Sequence, residues 1–269
     1  MARFGTHRLV LTLAGAAAGL ACAAPAQAQQ DERRLIVTVG AGAQYLPAYP
    51  GADNYEIAPL FTGGSRREGD PINARGPDDG FGFSLTGRGG PIEIGPMVQF
   101  QGERSDEDVG APVGEVDFTV EPGVFVNLNV SPNIRLRAEA RKGVNGHEGF
   151  VGDVGADLFV RGPNTVFSIG PRLRLADEDY MQAYFGVTPA AALATGLPTF
   201  APEGGVRAYG AIASLTHEFN RTLGVYAYAG YDRLTGDAED SPIVQAFGSR
   251  DQFSVGLALT FNFRINDPF

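Results

Sequence analysis

In the stretch Val116-Asp117-Phe118-Thr119-Val120-Glu121-Pro122-Gly123-Val124-Phe125-Val126-Asn127-Leu128-Asn129-Val130, the even positions are almost all aliphatic or aromatic and the odd ones mostly polar. A β-strand points successive side chains to opposite faces, so this segment has one apolar and one polar face. The pattern returns near the C-terminus. Phe253, Val255, Leu257, Leu259, Phe261 and Phe263 alternate with Gln252, Ser254, Gly256, Ala258, Thr260, Asn262 and Arg264. Such segments exceed the five or six residues usual in soluble strands and approach the 9 to 11 tilted residues that cross a bilayer. An all-β, antiparallel transmembrane β-barrel is therefore expected, in preference to a β-sandwich with its shorter strands.

Working outward, ten long strands can be drawn: Leu35 to Leu46, Gly80 to Arg88, Ile92 to Arg104, Val116 to Val130, Ile134 to Val144, Phe150 to Arg161, Thr165 to Leu175, Gly205 to Phe219, Leu223 to Thr235 and Gln252 to Arg264. The connections at Gly89-Gly90, Ser131 to Asn133, Gly162 to Asn164 and Asn220 to Thr222 are tight and rich in turn residues. Those at Pro47 to Asp79, Ser105 to Glu115, Asn145 to Gly149, Ala176 to Gly204 and Gly236 to Asp251 are longer or more acidic. Long and tight connections alternate, as in outer-membrane barrels with short periplasmic turns and long outer loops. Glu56 to Gly63 and Tyr180 to Val187 could raise the count to twelve, but parity places them inside the first and fourth outer loops. Pro96, Pro122 and Pro171 each remove a ladder donor, and bulges are expected there.

The N-terminus carries an address. Arg3, His7 and Arg8 precede an apolar run from Leu9 to Ala24, and Ala26-Gln27-Ala28 is a small-x-small cleavage pattern, which makes residues 1–28 a cleaved signal peptide and Gln29 the mature start. A lipoprotein reading through Cys22 is weaker, because the aliphatic residue expected three places before the cysteine is missing. Residues 29–269 then form one barrel domain of 241 residues (269 minus 28) without cysteine, so neither disulfides nor thiolate metal sites can hold it. Losing two arginines moves the formal charge from −10 to about −12, which disfavours a nucleic-acid partner. Abundant glycine, 37 residues, suits twisted strands and tight turns.

Several stretches together resemble the MipA/OmpV family of outer-membrane proteins. They are Pro47-Ala48-Tyr49-Pro50-Gly51-Ala52-Asp53-Asn54-Tyr55 followed by Pro59, the pairs Gly95-Pro96 and Gly170-Pro171-Arg172, the run Asp179-Tyr180-Met181-Gln182-Ala183-Tyr184-Phe185-Gly186-Val187, and Gly236-Asp237-Ala238 with Asp240-Ser241-Pro242. The resemblance covers essentially the whole mature chain. It implies an outer-membrane protein in contact with lipid and lipopolysaccharide, with a murein lytic transglycosylase and a murein synthase as partners. In one respect the chain departs from the family: Phe261-Asn262-Phe263 is followed by Arg264 to Phe269, so the aromatic that serves as assembly signal is ambiguous.

No catalytic constellation emerges. Ser214 and His217 stand three apart on a strand and so face opposite ways, which leaves His217 as an interfacial histidine. His147, in Gly146-His147-Glu148-Gly149, reads as an exposed polar loop tip rather than a metal ligand. The acidic clusters Asp106 to Asp108, Asp177 to Asp179 and Asp237 to Asp240 lack the ligand ladder of a calcium loop and read as solvated charge. Neither a metal nor a cofactor is implied.

Two sets of residues stand out. Glu121, Arg135, Arg137, Glu139, Arg141, Asp157, Arg172 and Arg174 lie on polar strand faces and should fill the barrel lumen as a paired network. Tyr49, Gly51, Asp53, Tyr55, Tyr180, Tyr184, Phe185 and Gly186 fall in the two outer connections that hold the segments that did not fit as spanning strands, and are candidates for an outer lid or partner surface. The first function that follows is a non-catalytic outer-membrane scaffold. A narrow channel or gate for small molecules is the alternative; an envelope hydrolase dependent on His217 or His147 is a third.

Overall fold

Alternating side chains sort onto two sides of one sheet throughout the chain. The computed structural model describes residues 34–266 apart from 74 and 88. The expected signal peptide, its cleavage site, Cys22 and Phe269 lie outside these residues. Among the described residues there are eleven antiparallel strands: β1 (Arg34–Pro47), β2 (Tyr55–Arg67), β3 (Phe81–Gly82), β4 (Ile92–Gln101), β5 (Thr119–Ser131), β6 (Ile134–Lys142), β7 (Phe150–Arg161), β8 (Thr165–Ala176), β9 (Gly205–Glu218), β10 (Leu223–Leu234) and β11 (Asp251–Asn266). Five helices lie in the connections: α1 (Asp106–Val109), α2 (Glu178–Phe185), α3 (Pro189–Thr195), α4 (Asp237–Asp240) and α5 (Pro242–Phe247). The sheet order is β2-β1-β11-β10-β9-β8-β7-β6-β5-β4-β3, so every chain-consecutive pair from β3 to β11 is also adjacent in space.

On β5 the even residues Val124, Val126, Leu128 and Val130 are exposed, whereas Glu121, Phe125 and Asn127 are buried. On β11 Phe253, Val255, Leu257, Leu259, Phe261 and Phe263 are exposed in the same way, while Thr260 and Asn262 are buried. The apolar face is thus the outside and the polar face the interior, the arrangement a barrel needs in lipid. The sheet curls strongly: Arg66 on β2 and Glu218 on β9, four strand spacings apart along the sheet, meet at 2.9 Å. Among the described residues no helix is long and apolar enough to cross a membrane.

Each of the ten expected strands overlaps a strand of the sheet, but one placement needs correcting. Glu56 to Gly63 is not part of an outer loop. It belongs to β2, paired with β1 from Leu35↔Arg67 to Pro47↔Tyr55. Its alternation is hard to see because Gly63 and Gly64 interrupt the apolar face. Tyr180 to Val187 does lie within the connection after β8, but as helix α2 rather than as a strand. Asp177 caps that helix by accepting from the Tyr180 N–H.

Inserting β2 breaks the expected alternation of connections at one place. β2 runs toward the end that carries the tight turns, and so does β3, because β3 pairs antiparallel with β4. The described residues of 68–80 must therefore travel back toward the other end, and they do so inside the sheet. This strap makes up the twelfth passage after eleven strands. Asn73 and Arg75 side chains donate to the carbonyls of Ser65 and Gly63 on the edge strand β2. The strap thereby covers an edge that would otherwise invite pairing with another chain.

The bulges expected at Pro96, Pro122 and Pro171 are not there. Register is unbroken through Pro96↔Val124, Val98↔Pro122 and Pro171↔Ala211, and the shifts fall instead at Asn129/Ser131 and Arg174/Leu175. The Gly-Pro pairs suggest why. A Cβ on Gly95 would sit 1.8 Å from the Phe83 carbonyl oxygen, and one on Gly170 would sit 1.6 Å from that of Ala156. Glycine lets the neighbouring strand press its carbonyl against the Cα beside the proline of each Gly-Pro pair, so the register is kept across the lost donor, although the β7–β8 pairing lapses at Gly170 and Pro171.

Candidate functional site: the charged lumen and its aromatic cap

All eight charged residues read as lumenal lie in one continuous network. Arg141 bonds Glu121 and Asp153 at 2.8 Å each and also pairs with Glu139. Arg137 meets Glu139 at 2.8 Å, and Arg174 meets Asp153 at 3.4 Å and Asp232 at 3.2 Å. Asp157 accepts from Arg135 and Arg172, each at 2.7 Å. Arg137 and Arg135 also stack over the inward rings of Phe125 and Phe159, at 4.6 and 5.4 Å. Partners on three adjacent strands, β6 to β8, explain the order: every second residue points inward, so acid and base alternate around the wall.

The strap closes this network from within. Asp79 accepts two guanidinium nitrogens of Arg135, at 3.0 and 3.1 Å, and lies 3.5 Å from Arg137. Asp78 meets Arg172 at 2.7 Å and Arg174 at 3.1 Å. Asp78 and Asp79 were missed in the sequence because they seemed to close a long outer loop. No signal in the sequence marked them, because with ten strands the connection from Pro47 to Asp79 fits the alternation as an outer loop. Space left beside Asp78, Arg137, Glu139, Asp153, Gly155 and Arg172 amounts to about 10 Å³. That is room for about one water molecule.

His147 is not an exposed tip. It is 3% exposed, with Nδ1 accepting from the Gly149 N–H at 3.0 Å and Nε2 lying 2.9 Å from Glu121. With Nδ1 an acceptor, the ring is assigned as the Nε2–H tautomer that donates to Glu121. It ties the lumen to the cap, for its ring packs edge-on against Tyr180 at 4.8 Å. His217 lies elsewhere, bonded to Thr165 at 2.7 Å, whereas Ser214 bonds Ser168 at 2.7 Å. Serine and histidine stand on opposite faces and form no catalytic pair.

Above the lumen, the connections at the end away from the tight turns pack on one another. Tyr180, Met181, Tyr184 and Phe185 of α2 share an apolar core with Val151, Ala208, Leu234, Ala238 and Val244. Tyr49, Ala52, Val109, Val187 and Ile243 form a second core beside it. Arg104 joins the two, lying 5.9 Å from the Tyr49 ring and 5.8 Å from the Tyr184 ring. Gly51 and Gly186 are buried in the same cap; Gly51 lies beneath Phe185 and Val244, and Gly186 ends α2 with its N–H on the Gln182 carbonyl. Burial raises the phenols of Tyr49, Tyr180 and Tyr184 above their ordinary value.

Two members of the expected lid set stand apart. Tyr55 begins β2 and stacks on the exposed Tyr45 at 5.0 Å, the place of an interfacial girdle residue. Asp53 is exposed. Two of the acidic clusters cap helices rather than simply facing solvent, and the third forms α4 and ties down a neighbouring connection. Ser105 and Asp108 form a capping box on α1, Asp177 caps α2, and Asp237 accepts from the Glu203 N–H.

Residues 39–263 match the family described as MltA-interacting protein MipA. The chain belongs to that family. Membership and the exposed apolar outer surface agree, and the protein is an outer-membrane β-barrel protein. Among curated proteins no sequence match is found. Solved structures of outer-membrane proteins are similar to this chain at low identity. The COG4313 outer membrane channel from Pseudomonas putida F1 is 10% identical, over 88% of this chain and 99% of its own, with a TM-score of 0.41. The NanC porin is 10% identical over 85% of this chain and 100% of its own, with a TM-score of 0.38. The CymD monoaromatic hydrocarbon channel is 8% identical over 88% and 91%, with a TM-score of 0.38.

Proposed function

We propose that this protein is a non-catalytic outer-membrane scaffold that holds murein-remodelling enzymes, a lytic transglycosylase and a synthase, at the inner face of the outer membrane. The observation that carries the reading is the ion-paired interior: wall arginines and carboxylates pair with one another and with the strap, and the space beside Asp78 and Arg172 is about 10 Å³. A protein that conducts solutes needs a continuous aqueous path, and a hydrolase needs an accessible nucleophile and base. Ion pairs that fix a rigid wall suit a platform instead. The family description, MltA-interacting protein, supports a murein transglycosylase as partner. Lipid and lipopolysaccharide are the remaining partners, met by the outer apolar surface and its rim.

The test combines two measurements on the purified, folded barrel. Immobilised in detergent, it should retain a lytic transglycosylase from envelope extracts; in planar bilayers the native chain should stay closed. Steady conductance by the native chain would overturn the scaffold reading, and so would peptidoglycan or lipid hydrolysis that disappears on substitution of His147 or His217.

A further inference from the structure

The strap does more than block the lumen, because its two acids occupy positions that a ligand could take. Arg135 Nη1 and Arg172 Nε, among the bonds of the described residues, meet carboxylate oxygens only on Asp79 and Asp78. The wall supplies Asp157 to both arginines but turns it to other nitrogens, Nε and Nη2 of Arg135 and Nη2 of Arg172. Each of these wall arginines has a carboxylate partner on the wall without the strap. The wall already sets Glu121, Glu139, Asp153, Asp157 and Asp232 against Arg135, Arg137, Arg141, Arg172 and Arg174, five against five. What the strap provides is two carboxylates presented side by side to four convergent guanidinium groups, the geometry in which arginine recognises carboxylate most strongly.

Residues 68–80 are also held differently from the strands. Ile72 is their one large apolar side chain, and the rest of their anchorage is polar. Arg161 donates to the Ile72 carbonyl at 2.8 Å, Ser214 to the Arg75 carbonyl at 2.9 Å, and Tyr226 to that same carbonyl at 3.4 Å. Bonds of this kind can be exchanged for bonds to water or to an anion, whereas a packed apolar core cannot be exchanged so cheaply. Gly69 and Gly80, with φ of 95° and 60°, mark the two ends of the segment. These are backbone conformations that glycine adopts freely.

We propose that Arg135, Arg137, Arg172 and Arg174 form a lumenal binding site for a small dicarboxylate, and that Asp78 and Asp79 are its tethered stand-in, vacating it when the strap withdraws. The site goes beyond the scaffold role and is independent of it. The native chain stays closed in bilayers because the stand-in is bound.

The experiment compares the native barrel with D78A/D79A, both purified in detergent, using malonate as the probe and chloride at equal ionic strength as the control. Folding is established first from the altered gel mobility of unheated barrel. Malonate should raise the thermal unfolding midpoint of the folded variant by several degrees more than chloride does, and should leave the native chain unchanged. In bilayers the variant should show anion-favouring conductance that millimolar malonate reduces. A folded variant whose midpoint responds equally to malonate and chloride overturns the proposal, and that holds even if it conducts, since the strap would then be a plug without a site behind it. Should the double variant not fold, D78A alone carries the same comparison, because it keeps the Asp79–Arg135 pair and frees Arg172 Nε. Conductance by the native chain would count against the scaffold reading, whereas an absent malonate effect counts against this one.

Discussion

Arg104 Nη1 donates to the Tyr184 carbonyl at 2.8 Å while its guanidinium lies 5.8 Å from the ring of that same tyrosine. Its Nη2 donates to the Gly114 carbonyl at 2.8 Å, so one buried cation joins the connection after β4 to helix α2. Replacing Arg104 with Ala leaves two carbonyls without these donors and removes the ring contacts. At about 1–3 kcal/mol for each buried group left unsatisfied, the cap should loosen by about 2–6 kcal/mol. Limited proteolysis of the intact barrel should show faster cleavage within residues 102–118 and 177–204, with the strands still resistant. Unchanged cleavage would remove Arg104 from the role of joining the two cores.

Tyr180, Tyr184 and Phe185 are each 1% exposed or less and fill the first core. Truncating a buried aromatic costs about 3–5 kcal/mol, more than a small loop core can absorb three times over. Alanine at all three positions should therefore abolish loop protease resistance while β-structure measured by circular dichroism persists. A variant that keeps its protection would show that the cap does not depend on the aromatics of α2.

Alkaline pH should open the same cap. Burial holds Tyr49, Tyr180 and Tyr184 above the usual tyrosine value of about 10. Because the folded value exceeds the unfolded one, their contribution to stability is intact below the unfolded value and is lost as pH rises through it toward the folded value. Protease sensitivity of the cap should climb above about pH 10, together with a late wave of phenolate absorbance. A single phenolate transition at the ordinary value, with the cap still protected, would contradict this.

Asp157 is 3% exposed and accepts from both Arg135 and Arg172. Breaking one partner of a buried ion pair costs about 3–5 kcal/mol, because the other charge is left uncompensated. D157A should accordingly lower the unfolding midpoint far more than a substitution of the exposed Asp53, and added salt should change the difference little, since screening hardly reaches buried pairs. Equal midpoints for D157A and the native chain would mean that the network contributes nothing to stability.

Residues 1–28 are expected to leave during export. Mass spectrometry of protein recovered from envelopes should give a chain starting at Gln29, and replacing Ala28 with Arg should stop processing. A lipid-modified Cys22 would show the alternative leader reading to be correct.

Two-residue alternation could be read from Val116 to Val130 and from Phe253 to Phe263 because lipid outside and charge inside impose opposite demands on neighbouring side chains. The same constraint identified Glu121, Arg135 and Arg172 as inward without any coordinates, since period alone sets the face on which a strand residue lies. Even Tyr49 and Tyr184 could be singled out, as aromatics in segments that fitted no strand. What pairing meant for β2 could not be read, because its glycines hide the period and its register comes from β1, a neighbour that only folding supplies. His147 likewise looked exposed until Gly149 and Glu121 closed around it. The strap was the deepest omission: nothing local tells Asp78 and Asp79 to turn inward. Their direction follows from the curvature of the whole sheet, which brings arginines of β6 and β8 to one point and makes that point the least costly place for two negative charges.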